Sequence, residues 1–249
     1  MKMGDDPHTS ARCAARLPSI MTGSAAPFGT HDDILLPRPA AVIFDCDGLL
    51  VDTEPCWEKV EIGMVAKYGS NLGPAERSQL IGTSHYETVA AMARILNMPG
   101  SEPSLLAELT DSVARCIADE GTPMPGARDL VDAVLATNVP VAVASNSPRH
   151  IMEVALRAGG FGALIDVSVC GDDVEHAKPA PDPFWEACRR LGADPASSVA
   201  FEDSPPGVAS AMAAGLFTIC IPSPGVDVPA SLTLPTLADP RLLAWVARW

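Results

Sequence analysis

The chain has 249 residues, 47% of them hydrophobic, enough to bury one large core with a small second unit, which excludes general disorder. Its 31 acidic against 17 basic side chains give a formal charge of −14, arguing against nucleic-acid or anionic-membrane partners. No apolar run reaches the roughly 18–20 residues of a membrane span, and no basic stretch followed by an apolar one opens the chain, so neither a membrane segment nor a secretory signal is expected.

Residues 1–38 are rich in Ser, Pro, Gly and Ala without sustained periodicity and predict a loosely ordered extension. Ala41 to Phe44 is short, apolar and partly β-branched, as in a strand buried on both faces of a parallel sheet. It runs into Asp45-Cys46-Asp47-Gly48, where the glycine permits a sharp exit. After Thr53 the period becomes helical: Trp57, Val60, Met64 and Tyr68 share one face, and Gly69 offers a stop. Pro74 is placed to open a second helix, and Ser84 to Glu87 has capping-box form before the stripe Val89, Met92, Leu96. Leu105, Leu109, Val113 and Cys116 make a further stripe. Successive helices with no strand between them are too many for one βα crossover, so residues 55–121 are expected to form an inserted all-helical cap domain.

The remainder alternates: helix 127–137, strand 139–144, helix 148–158, strand 165–169, helix 183–191, strand 198–201, helix 206–214, strand 216–221. With residues 41–45 as strand one, this predicts an α/β core of doubly wound, Rossmann-like parallel type, built from residues 39–54 and 122–249. A Pro-rich loop and a short helix, 241–249, follow. Seven cysteines, with no Cys-x-x-Cys pair and no zinc-like His spacing, are expected to be small buried thiols of a reducing cytoplasm.

In open α/β sheets ligands bind beyond the carboxyl ends of the strands. Those ends carry Asp45 and Asp47, then Ser145-Asn146-Ser147, then Glu202-Asp203, with Lys178 in a preceding loop. Four carboxylates against one lysine, with only oxygen donors, suit a hard divalent ion, Mg²⁺ above all. Hydroxyl, amide and ammonium donors beside it suit an anion, so the expected chemistry is phosphoryl transfer.

Asp45-x-Asp47-Gly48, Ser145-Asn146, Lys178-Pro179 and Glu202-Asp203-Ser204 resemble, in order and spacing, the four motifs of the haloacid dehalogenase superfamily. The helical insert resembles its small α-helical cap class, and the resemblance spans about 40–222. It implies Asp45 as nucleophile forming an aspartyl-phosphate and Asp47 as general acid and base. Mg²⁺ would be held by Asp45, the Asp47 backbone carbonyl and Asp203, with Glu202 a direct or water-mediated ligand. Ser145, Asn146 and Lys178 would bind phosphate. An aspartate at position 47 favours phosphate esters over haloacids. Within the superfamily the chain resembles the branch of sugar-phosphate phosphatases and β-phosphoglucomutase-like proteins. Trp57 stands where such mutases carry a His, and Gly82-Thr83-Ser84-His85 stands where they carry an Arg for a second phosphate. A phosphatase acting on a small phosphorylated metabolite, monomeric by default, is thus the first reading. A phosphosugar mutase and an inactive binding protein of the same fold remain alternatives. Trp57, Thr83, Ser84 and His85 are the expected specificity residues.

Overall fold

The structure, a computed structural model, describes residues 34, 36–73, 76, 80, 85–223 and 226–249. Strand β1 (Val42–Phe44) is fully buried and leads, through the turn at Gly48, into the two-residue strand β2 (Val51–Asp52). Helices α1 (Glu54–Lys67), α2 (His85–Ile95) and α3 (Glu102–Glu120) follow, and strand β3 (Thr122–Pro123) brings the chain back. From there the alternation is α4 (Ala127–Ala136), β4 (Val141–Ala144), α5 (Arg149–Ala158), β5 (Val167–Val169), α6 (Asp182–Leu191), β6 (Val199–Glu202), α7 (Pro205–Ala213) and β7 (Phe217–Cys220). A short strand β8 (Leu232–Thr233) and helix α8 (Pro240–Val246) complete it.

The strands form a six-stranded parallel sheet in the order β5-β4-β1-β6-β7-β8. Alternation along each strand sends side chains to opposite faces, and here both faces are dry. Val42, Phe44, Val143 and Phe201 enter one apolar cluster, in which α4, α5 and α8 take part. Ala41, Ile43, Ala142, Ala144 and Ala200 enter the other, under Phe184 and Ala187 of α6 and Ala211 of α7. Small residues on that second face let α6 and α7 lie close. The rings of Phe44 and Phe201, on adjacent strands, stack at 5.0 Å. Full burial of each contributes about 1.5–3 kcal/mol.

The chain leaves the core and re-enters it side by side: β2 and β3 pair antiparallel, Val51 opposite Pro123 and Asp52 opposite Thr122. Between them, among the described residues, lie helices only. α3 packs on α1 and α2 and also leans on α5, and its buried Leu105, Leu109, Val113 and Ile117 belong to the same apolar cluster as the sheet. The helical block therefore shares its core with one layer of the sheet.

Several details differ from expectation. Tyr68 lies exposed past the end of α1 with its hydroxyl on Glu108, and the inward face of α1 is carried by Cys56, Met64 and Val65. Ile117, not the half-buried Cys116, closes the α3 stripe, one position further along. The body begins before residue 39. Trp245 Nε1 donates to the Leu36 carbonyl at 2.8 Å, Arg38 donates to the Thr137 carbonyl, and Ile34 is buried. Strand β8 falls in the stretch expected to be loop. Pro74, most of the helix expected to follow it, and the loop 81–84 lie outside the described residues. No described helix is long and apolar enough to cross a membrane.

Candidate active site

The chain runs β1, β4, β5 outward on one side, then returns to β6, β7, β8 on the other, so β1 and β6 are neighbours whose connections diverge. At such a switch point the loops part and leave a crevice. Asp45 follows β1, Ser145 to Ser147 follow β4, and Glu202 ends β6 with Asp203 next. Register holds them level: the Asp45 amide donates to the Phe201 carbonyl and the Ser145 amide to that of Val169, both at 2.9 Å.

Lys178 is the hub. Its ammonium donates to Asp45 Oδ1 (2.5 Å), Glu202 Oε1 (2.5 Å) and the Ala144 carbonyl (2.7 Å), engaging all three of its protons. Asn146 fixes this loop: its Oδ1 accepts from the Lys178 amide (2.8 Å) and its Nδ2 donates to the Lys178 carbonyl (3.1 Å). The Asn146 amide is thus engaged with the lysine loop, where the sequence pattern pointed it at phosphate. Glu202 is likewise engaged. Its second oxygen accepts from the amide and hydroxyl of Ser204 and the amide of Asp203, and its carboxylate lies flat against Gly207 at the start of α7, where a Cβ would sit 2.0 Å away. The positive end of that helix favours the charge. Asp47 accepts hydroxyl hydrogen bonds from Thr53 on Oδ1 (3.0 Å) and from Ser145 (3.0 Å) and Ser147 (2.9 Å) on Oδ2. Ser145 Oγ also accepts the Ser147 amide, so one hydroxyl rotation re-aims it.

Burial pushes the Asp45 carboxyl up to about 8 against the pull of the Lys178 ammonium, with Glu202 and Asp47 adding to the rise. Asp203 is raised well above its ordinary value by burial, then by the charges of Asp45 and Glu202. Burial pulls Lys178 down, but Asp45 and Glu202 outweigh it and leave the ammonium above its usual value. Oxygens of Asp45, Glu202 and Asp203 lie within 4.8 Å of one another, and no described side chain donates to the Asp203 carboxylate. An all-oxygen, net-negative cluster with one carboxylate left without a donor fits a hard divalent cation such as Mg²⁺. Asp45 and Asp203 are the side chains that could hold one, while Glu202 is committed to Lys178 and its own turn.

Gly48 is bound into this cluster. Its φ is +79°, and a Cβ there would meet Asp203 Oδ2 at 2.5 Å. Gly48→Ala is therefore expected to lower stability by about 1–2 kcal/mol through the left-handed backbone alone. It should also displace Asp203, weakening Mg²⁺ binding at least about tenfold, one such factor being about 1.4 kcal/mol. Denaturant melts and a Mg²⁺ titration of activity read the two effects separately.

The crevice opens into a cleft of about 510 Å³ between the strand ends and the helical block. Asp47, Asn146, Ser147 and Lys178 line its floor, and Trp57 and His85 line the opposite wall. Burial lowers the His85 pKa below its ordinary value, with Asp172 opposing, which favours the neutral imidazole. Glu61, also on that wall, is pushed up to about 7 by burial and then by Glu54. Thr83 and Ser84 lie outside the described residues. Ser147 is marked in the sequence only as a second hydroxyl at the end of β4, with no role, and nothing local marks Thr53 or the Ala144 carbonyl.

The family described as haloacid dehalogenase-like hydrolase matches residues 42–221. The chain is 35% identical over 182 residues to the fructose-1-phosphate phosphatase YqaB of Escherichia coli (strain K12), covering 72% of this chain and 94% of that one. Its fold is similar to the crystal structure of CbbY from Rhodobacter sphaeroides in complex with phosphate, at TM-score 0.74 and 27% identity, covering 81% and 96%. It is also similar to a putative β-phosphoglucomutase from Thermotoga maritima, at TM-score 0.70 and 25% identity, covering 84% and 98%.

Proposed function

Since the chain belongs to the haloacid dehalogenase-like hydrolases and is a phosphoric monoester hydrolase, we propose that it releases phosphate from a small phosphorylated carbohydrate through an aspartyl-phosphate on Asp45. The observation that carries this reading is the convergence of Asp45, Lys178, Glu202 and Asp203 at the switch point of the sheet, with Asp47 held across from them by hydroxyls. The likeness to a fructose-1-phosphate phosphatase supports the carbohydrate class.

Asp45 attacks phosphorus and takes the phosphoryl group. Asp47, held by Thr53, Ser145 and Ser147, gives its proton to the leaving alkoxide and then takes one from the water that opens the acyl phosphate. Lys178 orients the Asp45 carboxylate and ties it to Glu202 beside it. Ser145 turns its hydroxyl towards a phosphate oxygen. When bound, Mg²⁺ supplies the positive charge that keeps Asp45 anionic and screens its approach to the phosphate. The helical block, residues 55–121, acts as a cap whose Trp57 and His85 meet the leaving group and whose closure excludes bulk water. The free thiols of the six described cysteines support a reducing, cytoplasmic setting.

Phosphate release from a panel of hexose and hexitol phosphates, with Mg²⁺ and with EDTA, tests the reading. Turnover of at least one ester that EDTA abolishes and Mg²⁺ restores is expected; no release at any metal concentration would sink it. The similarity to a putative β-phosphoglucomutase keeps a mutase as the second reading. It would show as conversion of a hexose 1-phosphate to the 6-phosphate dependent on a bisphosphate primer.

A further inference from the structure

Apart from the crevice, one other cluster of metal-type ligands occurs among the described residues, at the root of the helical block. Cys56 lies in the first turn of α1, and Cys116 and Glu120 lie one turn apart near the end of α3. Residues four apart on a helix face the same way, and α1 and α3 pack side by side. The two sulfurs and a Glu120 oxygen consequently fall within 4.8 Å of one another. Cys56 is only 2% exposed, Cys116 half-buried and Glu120 exposed, so the group has a dry inner side and a wet mouth. Lys59, a turn on from Cys56, is paired with Glu120 and brings a positive charge to that mouth.

A tetrahedral zinc-class ion, with metal–sulfur bonds of about 2.3 Å and metal–oxygen bonds of about 2.0–2.2 Å, needs its ligand atoms roughly 3.5–3.8 Å apart. Side-chain rotation on the order of an ångström brings these three atoms to that spacing. We propose that Cys56, Cys116 and Glu120 form a binding site for a thiophilic divalent cation of the zinc class, with water as the fourth ligand, fastening α1 to α3 where the block joins the core. Binding releases two thiol protons to solvent and changes no oxidation state. The carboxylate has a second oxygen with which to keep Lys59. Hard Mg²⁺ does not compete for thiolates, so the two sites stay chemically separate.

The test uses the reduced full-length protein in saturating Mg²⁺, titrated with Co²⁺ as probe. One equivalent per chain should produce the thiolate-to-cobalt charge-transfer band, and Zn²⁺ should displace it. Cys56→Ser and Cys116→Ser should each abolish the band, Glu120→Gln should weaken binding at least tenfold, and Cys188→Ser, on the far face of the sheet, should leave it unchanged. Zn²⁺ should also raise the thermal midpoint of the wild type and not that of Cys116→Ser. Absence of the band in the wild type, its survival in both serine variants of the pair, or an equal thermal shift in Cys116→Ser would each overturn the proposal. None of these readouts depends on phosphatase activity.

Discussion

Exchange of Asp45 for asparagine is expected to lower turnover of every phosphate ester by on the order of 10⁴-fold or more, as removal of a catalytic nucleophile does, while the fold survives. The amide keeps the shape of the carboxyl and still offers an oxygen to Lys178, but it cannot form an acyl phosphate. It also removes a buried carboxyl that folding holds raised and one of the like charges that raise Asp203, so stability should be unchanged or higher. Paired measurement of kcat and the denaturation midpoint separates the chemical role from a structural one. Turnover within tenfold of wild type, in a folded variant, would exclude Asp45 as nucleophile.

Lys178→Met should damage both activity and stability. Among the described residues Lys178 is the sole ammonium bonded to Asp45 and Glu202, which are 5% and 0% exposed. Removing one partner of a buried ion pair leaves uncompensated charge and costs about 3–5 kcal/mol. The pH dependence gives the signature. Without Lys178 the folded-state pKa of Asp45 rises further above the value of about 8 that it already has. A carboxyl raised on folding costs stability where the unfolded chain would ionise it, and that cost stops growing once pH exceeds the folded pKa, so the further rise separates variant from wild type only as pH approaches and passes about 8. The deficit should therefore widen as pH rises through about 8 and stay nearly constant below it. Urea midpoints of the two proteins at several pH values read this directly; a deficit independent of pH would mean that lost packing on Phe184, whose ring lies 5.1 Å from the ammonium, dominates.

The architecture was largely legible because the core strands are short apolar runs ending in polar clusters, a pattern that depends only on burial and chain direction. Asp45, Ser145 and Asp203 could be named as candidates for the same reason: they sit where strands must end, whereas Lys178, in a loop past β5, was named from the resemblance to a family motif. The commitments of Asn146 and Glu202 could not. Whether an amide faces a ligand or a neighbouring loop depends on where Lys178 arrives, and that is set by the path between β5 and α6 far along the chain. Edge strand β8 escaped notice because two residues carry no period. The one-position drift from Cys116 to Ile117 arises because a stripe of apolar residues fixes a helix face only to within one neighbour. Cys56 and Cys116 gave no spacing signal, since their approach follows from α1 meeting α3.

The paired strands β2 and β3 suture the chain at the point of departure. Whatever lies between the two stitches can in principle change length without disturbing strand order, which marks the block as a replaceable module and the crevice floor as the constant part. The lean of α3 on α5 restricts that freedom. A graft must arrive with its own greasy flank to cover α5, so exchange of substrate preference by swapping this segment requires moving its last helix as well as the residues that face the cleft.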